Sequence, residues 1–236
     1  MAKVYQATHT GKVRYNNEDA LIVIEPKTFV VADGMGGALA GEIASQMLVE
    51  TVKNFLAKTP APWHEKILAQ AILLANDKIL NEARRHEEYR GMGTTATILS
   101  LDNGQAYFAH VGDSRLYLLR NNFFRQMTYD HSYVETLVRR GELTPEEARV
   151  HPMKNVLVQA VGAVPDITID KANFPTEHGD IFLLCTDGLT NMVEDESIKK
   201  ILQSASDPAD ALINAALEAG GKDNISVIVV EASNCS

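Results

Sequence analysis

The chain has 236 residues, 45% of them apolar, which is enough for a sizeable core in one large domain or two small ones. Its formal charge of −9 and pI near 5.3 speak against nucleic acid or an anionic membrane surface as the main partner, because both call for basic patches. Two cysteines, Cys185 and Cys235, without CxxC spacing, leave no basis for a disulfide framework.

The start, "MAKVYQATHTGKVR", has no apolar h-region and no apolar run approaches a membrane span, so a cytoplasmic protein is expected. Three strands are predicted first: "KVYQATHT", "ALIVIE" and "TFVVAD", with "EPK" as a turn. From Ala40 to about Lys58 the apolar spacing becomes helical. "TPAPW" interrupts it, with Pro62 suited to the start of a second helix over about 63–88 that carries Ile67, Ala71, Leu74, Ile79 and Ala83 on one side. "GMGTTATILSLDNGQAYFAHVGDSRLYLLRNNFFRQMT" is a run of short strands divided by the turn signals "DNG", "GDS" and "RNN", and it reads as an antiparallel meander. Two short helices follow in "SYVETLVRRG" and "TPEEARV", the second with a capping box of Thr144 and Glu147. "DIFLLCTDG" is an apolar strand ending in Asp-Gly, helices are predicted around 194–203 and 208–219, and "DNISVIVVEA" is a last strand. Blocks of strands with paired helices between them predict an α+β fold of two antiparallel sheets packed face to face.

Four acids share one context. Asp33 ends "FVVAD", Asp187 ends "FLLCTD", Asp223 opens the last strand and Asp19 opens "ALIVIE". Each puts a carboxylate at the rim of a sheet. Asp-Gly is an ordinary turn former, and "NNED" reads equally as a solvated loop. Taken together, several carboxylates at one rim repel one another, and a divalent cation is the usual remedy. All-oxygen ligation selects Mg²⁺ or Mn²⁺ over Zn²⁺. The bare stretch "GMGG" after Asp33 suits a tight turn or the close approach of a phosphate or hard metal ion.

"RYNNED", "VADGMGG", "GMGTTA", "AHVGDSRLY", "LCTDGLT" and "GGKDNISVIVV" occur in an order and at spacings that resemble the bacterial metal-dependent Ser/Thr protein phosphatases of the PPM, or type-2C, family, from about residue 3 to 231. The resemblance implies a single catalytic domain over 1–236. In it, a central sandwich of two antiparallel sheets is flanked by helix pairs, and a flap subdomain covers about 130–162. It implies two divalent ions, Mn²⁺ or Mg²⁺, and a third, weaker one. By position, Asp33 would bridge the two ions and the Gly34 carbonyl would be a ligand, a side chain there blocking the backbone from the metal. Asp187 and Asp223 would hold the second ion with Asp19 nearby, Glu18 would act through metal-bound water, and Asn224 would support the site. Arg14 would bind phosphate, and Asp113 would hold the third ion with Asp187 as shared ligand.

The implied reaction is hydrolysis of phosphoserine and phosphothreonine in proteins by direct attack of a metal-bridging hydroxide, opposing a Ser/Thr protein kinase, with Cys185 as a core residue. A monomer is expected. One position departs from the family: many members carry histidine after "DGMGG", a candidate acid for the leaving alkoxide, and here it is Ala38. Metal-bound water, or His110, His131 or His151, would then serve. Two other functions compete, a catalytically silent partner-binding domain and a hydrolase of small phosphate esters. The first is disfavoured because every expected carboxylate is present.

Overall fold

A computed structural model describes residues 3–25, 27–36 and 40–232. In chain order the first half comprises β1 (Lys3–His9), β2 (Asp19–Ile24), β3 (Thr28–Met35), α1 (Ala40–Leu56), α2 (Glu65–Arg85), β4 (Gly93–Thr94), β5 (Ala96–Asp102), β6 (Gln105–Val111), β7 (Arg115–Arg120) and β8 (Phe123–Gln126). The second half comprises α3 (Tyr133–Arg139), α4 (Pro145–Val150), β9 (Asp170–Pro175), β10 (Ile181–Cys185), α5 (Asp187–Thr190), α6 (Asp195–Ser204), α7 (Pro208–Glu218) and β11 (Ile225–Glu231).

Two antiparallel sheets result. One runs β1-β11-β10-β7-β8, the other β2-β3-β5-β6-β9 with the short β4 beside β3. The apolar strands are continuous because both of their faces are covered. In β3, Val30 and Ala32 pack toward α1 and α2, while Phe29 and Val31 pack between the sheets. In β10, Leu183 and Cys185 pack toward α6 and α7, while Phe182 and Leu184 meet the facing sheet. This two-residue alternation stacks helix pair, sheet, sheet and helix pair in that order.

Several sequence-based boundaries move. β3 does not stop at Asp33 but continues through Gly34 and Met35, which pair with Thr94 and Gly93 of β4. Asp223 lies two residues before β11. Pro62 lies outside α2, which starts at Glu65 after a cis Ala61–Pro62 bond. Leu74 faces solvent, and the buried stripe of α2 runs through Leu68, Ile72, Ala75 and Ile79. The predicted meander is two hairpins in different sheets. β5 and β6 belong to one, β7 and β8 to the other, and the chain crosses between sheets at 112–114. β9 is a strand that the polar "DKANFP" does not announce, held by pairing with β6 along its edge. The capping box at Thr144 and Glu147 is present.

Candidate active site

Asp19 and Asp33 stand directly opposite each other in the β2/β3 register. Directly opposed residues on antiparallel strands share a face, and like charges there repel. The Asp19 carboxylate is buried. Its Oδ2 accepts a 2.8 Å hydrogen bond from the Thr186 hydroxyl, and its Oδ1 is, among the described residues, the one buried side-chain polar atom without a hydrogen-bond partner. Burial, then the fields of Asp187 and Asp223, push its carboxyl up to about 7 against hydrogen bonds from Ser226 and Thr186. Asp33 is raised well above the usual carboxylate range, by burial first and then by Asp19 and Asp187.

Asp187 opens α5 immediately after β10. Its Oδ2 accepts from Asn191 Nδ2 at 2.8 Å, and its carboxyl rises to about 6 through burial and Asp223, with a hydrogen bond to Asp33 pulling the other way. Asp113 sits in the crossing between the sheets and is raised by burial first and by Asp187 second. Asp223 completes the set beside β11. The fold therefore gathers all five predicted aspartates into one mutually repelling group.

The donor chemistry fits hard divalent cations: five carboxylates, an orphaned buried oxygen at Asp19 and no sulfur or imidazole ligand. Among the described residues no three His, Cys, Asp or Glu side chains stand as a ready-made cage. Ions here would therefore draw on backbone oxygen and water as well, as Mg²⁺ commonly does. The sequence missed Thr186, whose hydroxyl fixes Asp19, and Thr95, whose Oγ1 accepts from the Asp33 N–H at 2.8 Å. Both lie inside the quoted motifs, but neither carries a charge that would single it out.

Gly34 has a packing reason to be glycine, independent of any role for its carbonyl. A Cβ there would lie 2.1 Å from the Gly41 carbonyl oxygen and 2.5 Å from that of Glu18. The missing side chain at Gly34 thus lets β3, the loop before β2 and the first turn of α1 meet backbone to backbone, and the Gly34 N–H donates to Glu18 O at 3.1 Å. Gly188 plays the same part on the other sheet, where a Cβ would lie 1.9 Å from the Asn224 carbonyl oxygen. The Glu18 side chain lies over Gly41 and its carboxyl is raised, chiefly by burial.

Asn224 is a structural tie. Its Oδ1 accepts from the Glu18 N–H at 2.8 Å, and its Nδ2 donates to Thr10 O and Asn16 O, each at 2.9 Å. This pins the loop that carries Arg14. The half-exposed Arg14 donates from Nη2 to Asp223 Oδ2 at 2.8 Å, with Glu18 and Asp33 also contributing to its field. A guanidinium carries a fork of donors whose geometry matches carboxylate and phosphate oxygens alike.

Segment 130–162 leaves β8 and returns toward β9. It is closed at its base by bridges between Ser132 and Leu157 and between Thr94 and Val161. A cleft of about 580 Å³ between this segment and the rest of the fold includes Asp113, Asp187, Tyr129, Glu135, Lys154 and Glu194 in its lining. Arg115 clamps Asp130 at the start of the segment with contacts down to 2.6 Å, and Arg149 within it pairs with Glu194.

The candidate histidines are engaged elsewhere. His110 is buried between Thr97 Oγ1 and Tyr129 O, and burial, then His131, push it down to about 4, so it stays neutral. His131 accepts from the Gly112 N–H through Nδ1 and faces Asp170 through Nε2. His151 accepts from the Met153 N–H. Ala38 and Cys235 lie outside the described residues.

The family model described as protein phosphatase 2C matches residues 12–223. The serine/threonine phosphatase stp of Listeria welshimeri is 42% identical over 235 residues, covering 95% of this chain and 93% of its own. The solved structure of the serine/threonine phosphatase Stp1 from Staphylococcus aureus superposes with a TM-score of 0.93 at 33% identity, covering 99% of this chain and 96% of that one. The catalytic domain of the serine threonine protein phosphatase PstP, solved in complex with two manganese ions, superposes with a TM-score of 0.90 at 33% identity, covering 99% of both chains.

Proposed function

The chain belongs to the protein phosphatase 2C family and is a serine/threonine phosphatase, and from that premise we propose that it hydrolyses phosphoserine and phosphothreonine in proteins by direct attack of water, with no phosphoenzyme. The observation that carries this is the group of five aspartates at one end of the sandwich, with Asp19 opposite Asp33 and Arg14 at the edge. Asp33, Asp19, Asp187 and Asp223, with the Gly34 carbonyl, would hold two divalent ions. Mn²⁺ or Mg²⁺, when bound, lowers the pKa of water and offsets charge on the phosphate.

The chain's own residues supply the rest. Arg14 orients a phosphate oxygen pair through its fork and stabilises the charge that develops in the transition state. Asn224 holds the Arg14 loop and the Glu18 backbone in register with Asp223. Cys185 does not compete as nucleophile. It is fully buried, and burial pushes its thiol up to about 12. His110 is neutral and enclosed, so that imidazole does not supply the proton for the leaving alkoxide, which we assign to water at the site. Asp113, raised by burial first and then by the field of Asp187, would hold a third, weaker ion with it.

The proposal extends to a monomer that acts in the cytoplasm and opposes a Ser/Thr protein kinase. No described helix is long and apolar enough to cross a membrane. The test compares a phosphothreonine peptide with free phosphoserine at equal concentration in the presence of Mn²⁺. Turnover of the peptide at a kcat/KM well above that of the amino acid supports a protein phosphatase. Equal or better turnover of the free ester makes the chain a small-ester hydrolase.

A further inference from the structure

The Arg14 loop carries two features that phosphate binding does not use. Tyr15 is 102% exposed and Val13 is 62% exposed, the most exposed and the fourth most exposed of the large apolar side chains among the described residues. A single exposed apolar side chain is ordinary, but two that flank Arg14 on a fixed loop bear on what can dock beside it. This loop is fixed. Asn224 holds Thr10 and Asn16, Lys12 N–H donates to Gly221 O at 2.7 Å, Asn17 Nδ2 donates to Thr8 Oγ1 at 2.8 Å, and Arg14 itself is bound to Asp223. Both stems and the centre of the loop are thus tied to β1 and to the approach to β11, so residues 13 and 15 are displayed rather than frayed.

We propose that Val13 and Tyr15, flanking Arg14, contact the substrate polypeptide beside its phosphorylated residue and select apolar or aromatic residues there. This assignment presupposes the phosphatase activity proposed above. The reach is suitable. Val13 and Tyr15 adjoin Arg14 in the chain and are exposed, so a phosphopeptide gripped by Arg14 is held beside them. A tyrosine offers a large rigid face at low entropic cost, the usual anchor in protein recognition. The site's continuity with Arg14 makes the substrate itself the occupant.

The experiment uses Mn²⁺-loaded protein and two phosphothreonine peptides that differ only in the residues on either side of the phosphothreonine, Leu and Phe in one and Gly and Ser in the other. The selectivity ratio of kcat/KM is measured for the wild type, Val13→Ser, Tyr15→Ser and the double variant. Leu73→Ser, an exposed apolar position on α2, is the surface control, and melting temperature checks folding. The wild type is expected to prefer the apolar-flanked peptide by about fivefold or more, chiefly through KM. The double variant should bring that ratio close to one, and the control should keep it. Equal use of both peptides by the wild type, or an unchanged ratio in the double variant, overturns the proposal and leaves the phosphatase intact. Turnover of p-nitrophenyl phosphate with none of either peptide overturns the protein-phosphatase function and this assignment with it.

Discussion

Replacing Asp19 by Asn should stabilise the metal-free protein and weaken its response to metal, a pair of opposite signs that follows from where Asp19 sits. The side chain is buried, faces Asp33 across the β2/β3 pair, and has one oxygen hydrogen-bonded to Thr186 and one with no partner. Its carboxyl is raised from 3.8 to about 7 and that of Asp187 to about 6, each by burial first. Because these pKa values are raised in the folded state, the native chain binds more protons than the unfolded chain between about pH 4 and 7, and metal-free stability falls as pH rises through that window.

A rise from 3.8 to about 7 corresponds to at most about 4 kcal/mol of penalty for the ionised form above pH 7. Asn keeps an acceptor for Thr186 and turns its amide toward the neighbouring carboxylates, so about 2–4 kcal/mol should return. At roughly 2–4 °C per kcal/mol for a chain of this size, Asp19→Asn should melt roughly 4–16 °C above the wild type at pH 8 in chelator. Its melting temperature should also vary less with pH between 5 and 8. Saturating Mn²⁺ should stabilise the wild type more than the variant, because ionised carboxylates are what a cation requires. Calorimetry of both proteins with chelator and with Mn²⁺ checks this. A variant that melts at or below the wild type in chelator at pH 8, with an undiminished pH slope, would refute the repulsion argument.

Gly34→Ala should cost about 3 kcal/mol or more, since the new Cβ meets two backbone oxygens inside contact distance, and urea unfolding of metal-free protein measures it. Asn224→Ala removes three hydrogen bonds and leaves the Glu18 N–H without its acceptor. About 2–4 kcal/mol should be lost, and phosphopeptide turnover should fall further than overall folding explains. Arg14→Ala should raise KM for a phosphothreonine peptide by about tenfold or more while bound Mn²⁺ per chain is unchanged, which steady-state kinetics and metal analysis separate. Asp113→Ala should fold, keep two metals and lose most phosphopeptide activity. Activity within a few-fold of wild type would leave Asp113 as a turn residue.

Much of the sandwich was legible because its strands obey a simple rule. Runs such as "FVVA" and "IFLLC" are apolar at every position, and both their faces are buried in the fold. Asp33 and Asp187 were legible for the converse reason, as lone charges at the ends of such runs. What escaped the sequence was set by neighbours in space. β9 is polar along its length and becomes a strand by pairing with β6. The turn at 112–114 looks like any hairpin turn, although it carries the chain from one sheet to the other and so delivers Asp113 to the site. The need for glycine at position 34 comes from Gly41 and Glu18, which no local spacing announces. The exposed pair at Val13 and Tyr15 stands out only once the loop around them is known to be pinned.

The most direct test of a metal-dependent phosphatase built on the five aspartates is phosphate release from a phosphothreonine peptide by protein stripped of metal and then titrated with Mn²⁺, in the wild type and in Asp33→Ala. Release should be absent after stripping, return in the wild type as two ions bind per chain, and remain absent in Asp33→Ala at every Mn²⁺ concentration. Substantial turnover by stripped wild-type protein, or recovery of Asp33→Ala to wild-type rates, would contradict it.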